Sequence, residues 1–176
     1  MDTAIEPCGR ARVYLKPGEL CVSRRPVVVT TVLGSCVSVT LFHRPSGLAA
    51  ICHAIQPKCQ IRTPCPNPCR NRCRYAACVI EEMARLMTEN GVHMKELEVK
   101  LFGGAAIIGR IERQTMANSV GQQNVAAATE ALNKAGLPLK VADVGGYFGR
   151  KLIFDTASGD VLLKRIGHAV VPGACG

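Results

Sequence analysis

Val27-Val-Val-Thr30-Thr31-Val-Leu33-Gly34-Ser35-Cys36-Val37-Ser-Val-Thr-Leu-Phe42 is the stretch whose reading decides the fold. Its first six residues are all β-branched, too crowded at χ1 to favour a helix and too few to span a core as one, so they read as a buried strand. Gly34-Ser35 breaks that strand. From Val37 apolar and polar residues alternate, the period of a second strand with one face in the core. Pro45-Ser-Gly47 is a turn, and residues 48–55 form a third strand that carries His53. The expected path is a meander: strand, tight turn at Cys36, strand, turn, strand.

Outward from this centre, residues 12–15 and 20–23 read as short strands separated by Lys16-Pro-Gly-Glu19. Residues 56–74 hold Pro57, Pro64, Pro66 and Pro68 with Cys59, Cys65, Cys69 and Cys73, a proline density that excludes a regular helix or a central strand. Beyond Tyr75, Ala76, Val79, Ile80, Met83, Leu86 and Met87 recur at helical spacing up to a capping Gly91. Residues 97–102 are a strand. A second helix is expected to start near Ser119, paired with Gln122 as a capping box, and to run to Gly136. Residues 139–144, 151–154 and 161–164 close the chain as strands. The fold class is α+β, with mostly antiparallel strands and two principal helices in layers; the regular strand-helix alternation of a doubly wound sheet is missing.

The chain has 176 residues, 48% of them hydrophobic, which is enough for one core and too little for two ordinary domains, so residues 1–176 are read as a single domain with a Cys/Pro-rich loop at about 56–74. The first residues carry acids and no apolar core, and no run approaches membrane-spanning length, so neither an export signal nor membrane insertion is read here. The expected location is the cytoplasm, with the ten cysteines largely reduced. A formal charge of +9 suits an acidic partner, but aromatics make up only 4% and Trp is absent, poor material for stacking bases, so nucleic acid is not the expected partner.

A thiol attacks an amide carbon only as thiolate, so it needs a base and donors for the oxyanion. Cys36 sits where Gly34 and Ser35 break the chain between two strands and let backbone N–H groups turn toward a substrate oxygen. His53, one hairpin on, is placed to serve as base. Thr30, upstream on the strand that delivers Cys36, is placed to accept from the other imidazole nitrogen.

Thr30-Thr-Val-Leu-Gly-Ser-Cys36-Val, followed by His53-Ala-Ile-Gln-Pro57, resembles the signature of the chemoreceptor glutamine deamidase family, CheD. The resemblance continues in Gly18-Glu19, Lys100-Leu-Phe-Gly-Gly-Ala105, Val120-Gly-Gln-Gln-Asn-Val125, Asp143-Val-Gly-Gly146 and Gly149-Arg150, in order from about Gly18 to Ile166. It implies a three-layer α/β sandwich with a cysteine-histidine-threonine triad on Cys36, His53 and Thr30, and Gly34 and Ser35 beside the oxyanion. It further implies hydrolysis of glutamine side-chain amides on methyl-accepting chemotaxis receptors through a thioester, no metal or organic cofactor, and a CheC-type chemotaxis phosphatase as second partner.

The cysteine-rich loop is a departure from that pattern. Its thiols are numerous enough for zinc or an iron-sulfur centre but lack paired C-x2-C spacing, and an ordinary loop of reduced thiols is the reading adopted over a metal or redox site. His43, His93 and His168 are expected to face solvent. Gly103-Gly104 and Gly145-Gly146 lack the ending of a phosphate loop and are expected to serve turns and close packing. The alternative from another class is a regulator that binds a CheC-type phosphatase with little or no catalysis of its own.

Overall fold

The computed structural model describes residues 4–5, 10–59, 69–106 and 119–167. Strands β1 (Ala4–Ile5), β2 (Ala11–Tyr14), β3 (Leu20–Ser23), β4 (Val27–Leu33), β5 (Val37–His43) and β6 (Leu48–Cys52) precede helix α1 (Ala76–Glu89). Strand β7 (Glu98–Gly103), helix α2 (Val120–Lys134), and strands β8 (Leu139–Val144), β9 (Gly149–Asp155) and β10 (Val161–Ile166) follow. One sheet has the order β1-β2-β4-β9-β10 and the other β3-β6-β5-β7-β8. Neighbours pair antiparallel except β2 with β4 and β7 with β8.

The expected meander is half right. Strands β5 and β6 form the hairpin, Thr40 opposite Ile51 and Leu41 opposite Ala50. Strand β4, however, belongs to the other sheet, where it pairs with β2 and β9. Residues 34–36 are therefore a crossing between sheets rather than a hairpin turn.

Layering follows from the alternation of side chains along β5. Val37, Val39 and Leu41 join Ala50, Cys52 and Ala54 in a core with Val79, Ile80 and Met83 of α1 and Ala128 and Leu132 of α2. Phe42, Ala49 and Ile51 pack the other way, onto Leu15, Val29 and Phe154 of the first sheet. The order of layers is helices, second sheet, first sheet. All seven residues of β5 are buried, so its polar positions, Ser38 and Thr40, face the other sheet and not water as the alternation suggested. Burying a side chain such as Leu41 or Phe154 contributes ~1.5–3 kcal/mol, and the doubly covered β5 is where such terms concentrate.

Helix α2 starts as expected, with the Ser119 hydroxyl accepting from the Gln122 N–H at 3.2 Å. Helix α1 is capped differently: its first free amides, on Ala76 and Ala77, donate to the carbonyls of Gln56 and Pro57. The chain leaving His53 is thus tied to the start of α1. His43 departs from its expected exposure; it is buried, with Nδ1 2.7 Å from the Ser46 hydroxyl and Nε2 3.3 Å from a Glu96 carboxylate oxygen. His168 lies outside the described residues.

Candidate active site

Cys36 and His53 are brought to one face of the β5-β6 hairpin. Val37 and Ala54 exchange backbone hydrogen bonds of 3.0 and 2.9 Å, extending the hairpin register toward the crossing. Side chains alternate, so Cys36 and Ser38 from one strand share the inter-sheet face with His53 from the other, Ser38 directly opposite His53 and Cys36 on its diagonal. Diagonal neighbours in an antiparallel pair lie about 7–8 Å apart at the backbone, within reach of an imidazole. The thiol is half-buried against Leu33, Phe102 and Leu152.

His53 is gripped on three sides. Its N–H donates to the Glu19 carbonyl at 2.9 Å and its carbonyl accepts from Gly18 at 2.8 Å, which gives the Gly18-Glu19 turn a purpose. The ring Nδ1 lies 2.8 Å from the hydroxyl of Thr31, and that hydroxyl donates to the Leu15 carbonyl at 2.8 Å. A hydroxyl has one proton. Since a carbonyl only accepts, the Thr31 proton goes to Leu15, and Nδ1 must be the donor to Thr31. The lone pair is left on Nε2, a buried atom with no partner among the described residues.

The hydroxyl that meets the imidazole is therefore that of Thr31 and not that of Thr30. On β4, Val29, Thr31 and Leu33 point between the sheets, while Thr30 belongs to the opposite set and lies beside Ile153 and Tyr14 on the outer face. Strand parity makes the choice, and a shift of one residue reverses it.

Burial sets the protonation states. Desolvation lowers the His53 pKa from its ordinary 6.5, opposed by the Leu15 carbonyl and the Glu19 carboxylate, and desolvation raises the Cys36 thiol, opposed by its own backbone N–H. Burial thus favours the neutral form of both groups, a thiol beside an uncharged imidazole.

The crossing is held by its carbonyls. Gly34 O accepts from Ala105 N at 2.9 Å, Cys36 O from Gly104 N at 2.8 Å, and Ser35 O from the Asn124 side chain at 2.9 Å. Among the described residues, the Ser35 and Cys36 N–H groups donate to no backbone carbonyl. A side chain on Gly121 would overlap the carbonyls of Gly104 and Ala105, and one on Gly104 would overlap Val125, so these two glycines let α2 approach the crossing closely. That approach delivers Asn124, fully buried, whose Nδ2 donates to both Ser35 O and Ile55 O at 2.9 Å, joining the loop of Cys36 to the chain beyond His53.

A family model described as CheD chemotactic sensory transduction matches residues 63–165, more than half of the chain. A relative from Geobacter sulfurreducens, probable chemoreceptor glutamine deamidase CheD 2, is 45% identical over 156 residues, 89% of this chain and 91% of its own length. The chain belongs to the CheD family. Another member, the probable chemoreceptor glutamine deamidase CheD of Oleidesulfovibrio alaskensis, is 42% identical over 168 residues, covering 94% of this chain and 78% of that one. Among solved structures, YlmD from Geobacillus stearothermophilus overlays with a TM-score of 0.46 at 12% identity, over 76% of this chain and 59% of that one.

Three CheD residues escaped the sequence reading. Thr31 and Ser38 were legible only through strand facing, and Asn124 stood inside a quoted motif without a signal for its reach. Cys52 lies on the helix-facing side of β6, opposite to Cys36, with its thiol pushed up to about 12 by burial, so it is a core residue. Cys59, Cys69, Cys73 and Cys78 are free thiols; among the described residues no group of three His, Cys, Asp or Glu side chains is placed to hold a metal ion, and Cys65 lies outside them.

Proposed function

We propose that this CheD chain hydrolyses glutamine side-chain amides of chemoreceptors to glutamate, with Cys36 as nucleophile, His53 as base and Thr31 as the residue that fixes the imidazole. The observation that carries the reading is the relay from the Leu15 carbonyl through Thr31 to His53 Nδ1, which leaves a lone pair on a buried Nε2 that shares a face with the thiol. Among the described residues, nothing engages the second nitrogen of the imidazole. It suits proton transfer.

In this mechanism Nε2 takes the thiol proton as Cys36 attacks the carboxamide carbon, and the Ser35 and Cys36 N–H groups receive the oxyanion. Collapse expels ammonia with the proton returned from His53. Water, activated by the same nitrogen, then hydrolyses the thioester and frees the carboxylate. Because thiol and imidazole start neutral, charge develops only during attack, where the backbone donors stabilise it; one such donor is worth ~3 kcal/mol of barrier. Each turnover adds a negative charge to the receptor. We also infer a cytoplasmic location, where receptor signalling domains lie, and a CheC-type phosphatase as second partner.

The test is incubation with a receptor cytoplasmic fragment, glutamine-to-glutamate conversion being followed by mass spectrometry. Conversion by the wild-type protein that Cys36→Ala and His53→Ala both abolish is expected. No conversion across several receptors of the same organism by a folded protein would favour a phosphatase-binding regulator instead.

A further inference from the structure

Two connections cross between the sheets at one end of the molecule. Residues 34–36 carry β4 into β5, and residues 145–148 carry β8 into β9. They are spliced by consecutive residues at the end of β7: Gly104 donates to the Cys36 carbonyl at 2.8 Å, and the Gly103 carbonyl accepts from Gly145 at 2.9 Å. The second crossing therefore lies beside the first. It carries two aromatic side chains, Tyr147 and Phe148, each about half exposed.

This loop is braced from beneath. Arg150, buried at 4% exposure, donates through Nε to Asp143 at 2.7 Å and through its terminal nitrogens to the carbonyls of Phe148 and Gly145 at 3.1 and 2.9 Å. Arg165 reaches the other Asp143 oxygen at 2.8 Å. Desolvation would raise the Asp143 carboxyl, but the two guanidinium groups hold it below its ordinary range. A cavity of about 410 Å³ opens here with two cations against one anion in its wall.

The outer face of the first sheet continues the patch. Val32 and Ile166 are exposed at 40% and 39%, and Lys151 stands directly opposite Lys164 across the β9-β10 pair on that face. Like charges in such register destabilise a sheet, and neither lysine has a carboxylate partner among the described residues. Exposed aromatics on a braced loop beside a nucleophile, continuous with an apolar strip and unneutralised lysines, are costs that folding does not require.

We propose that Tyr147, Phe148, Val32, Ile166, Lys151 and Lys164 form the docking surface for the receptor substrate, taking an amphipathic helix with acidic flanks. The proposal rests on the deamidase reading. A helix that presents a glutamine to Cys36 shows the residues three and four positions away on the same side, and these meet the aromatic pair. The helix's carboxylates meet the lysines.

The test separates docking from chemistry. Binding of a receptor cytoplasmic fragment is measured on full-length Cys36→Ala protein, alone and combined with Tyr147→Ser/Phe148→Ser or with Lys151→Glu/Lys164→Glu. Alkylation of Cys36 by iodoacetamide in the otherwise native protein reports whether each surface change leaves the site folded. At least tenfold weaker binding for both surface pairs, unchanged alkylation rates, and a lost salt dependence for the lysine pair are expected. Binding as tight as that of Cys36→Ala alone would overturn the proposal, as would a fragment that does not bind at all. So would surface variants that change only self-association by light scattering, which would make the patch a contact between copies. Tight, surface-dependent binding without conversion by the wild type would leave the docking surface standing and sink the deamidase reading.

Discussion

The two faces of the β5-β6 hairpin are made from alternate residues of the same strands, yet they do opposite things. On the helix side, Val37, Val39, Cys52 and Ala54 are apolar and closed over, and the Cys52 thiol accepts the Val39 N–H at 3.4 Å. On the inter-sheet side, Cys36, Ser38 and His53 gather polar atoms that include two buried ones without partners among the described residues, Ser38 Oγ and His53 Nε2. Native interiors satisfy almost all such atoms, so this pair flanking a thiol sets the inter-sheet face apart as the candidate for chemistry. The difference between a core cysteine and the proposed nucleophile is here a matter of one residue's parity.

The sharpest way to break the comparison is to exchange the two thiols' fates. Cys36→Ala is expected to lower conversion by at least about 10³-fold with little change in stability, whereas Cys52→Ala should keep activity within about threefold and lose ~1 kcal/mol in urea titration. A Cys52→Ala protein that folds but does not turn over would erase the distinction between the faces.

Next in size is the pair of threonines. Thr31→Val should cost about 10²-fold in kcat by freeing the imidazole to adopt the wrong tautomer, and Thr30→Val should leave kcat within about twofold. Equal losses at both would mean that the facing of β4 differs from that described.

The pH dependence is a third measure. Since burial holds the His53 pKa below 6.5, its base form persists down to that pH, and the acid limb of kcat/KM is expected below 6.5. Iodoacetamide alkylation of Cys36 should climb with pH toward an inflection above 9.0, because the folded thiol binds its proton more tightly than a free one. A plateau of alkylation at pH 5–6 would reveal a standing ion pair and contradict the neutral starting state. The smallest effect belongs to Ser38→Ala. Removing a buried hydroxyl that has no partner among the described residues should raise stability by ~1 kcal/mol in thermal melts while lowering kcat/KM about fivefold.

The sequence disclosed the hairpin that brings Cys36 and His53 to one face because it depends on local breaks: Gly34-Ser35 before Cys36, and a turn before the strand of His53. The facing of β4 was not legible. Val27, Val29, Thr31 and Leu33 are as apolar as Val28, Thr30 and Val32, so neither set declares itself the inner one until the crossing at residues 34–36 assigns β4 to the far sheet. Asn124 was hidden for another reason. Its partners, Ser35 and Ile55, are distant in the chain, and its reach depends on the missing side chains at Gly104 and Gly121. The alternation of β5 misled because it records two kinds of interior and not an inside and an outside.

The pairing of β4 with β9 sets a timetable for synthesis. Thr31 is held opposite Leu152, and Leu33 opposite Arg150, while the earlier neighbour β2 offers β4 only a short parallel edge of four residues. Chains emerge from the ribosome N-terminus first, and pairings this remote form last. The thiol, its imidazole and the threonine are all translated in the first third of the chain, but the strand that fixes the threonine against the imidazole arrives near the end. Cys36 is made early and set in its surroundings late.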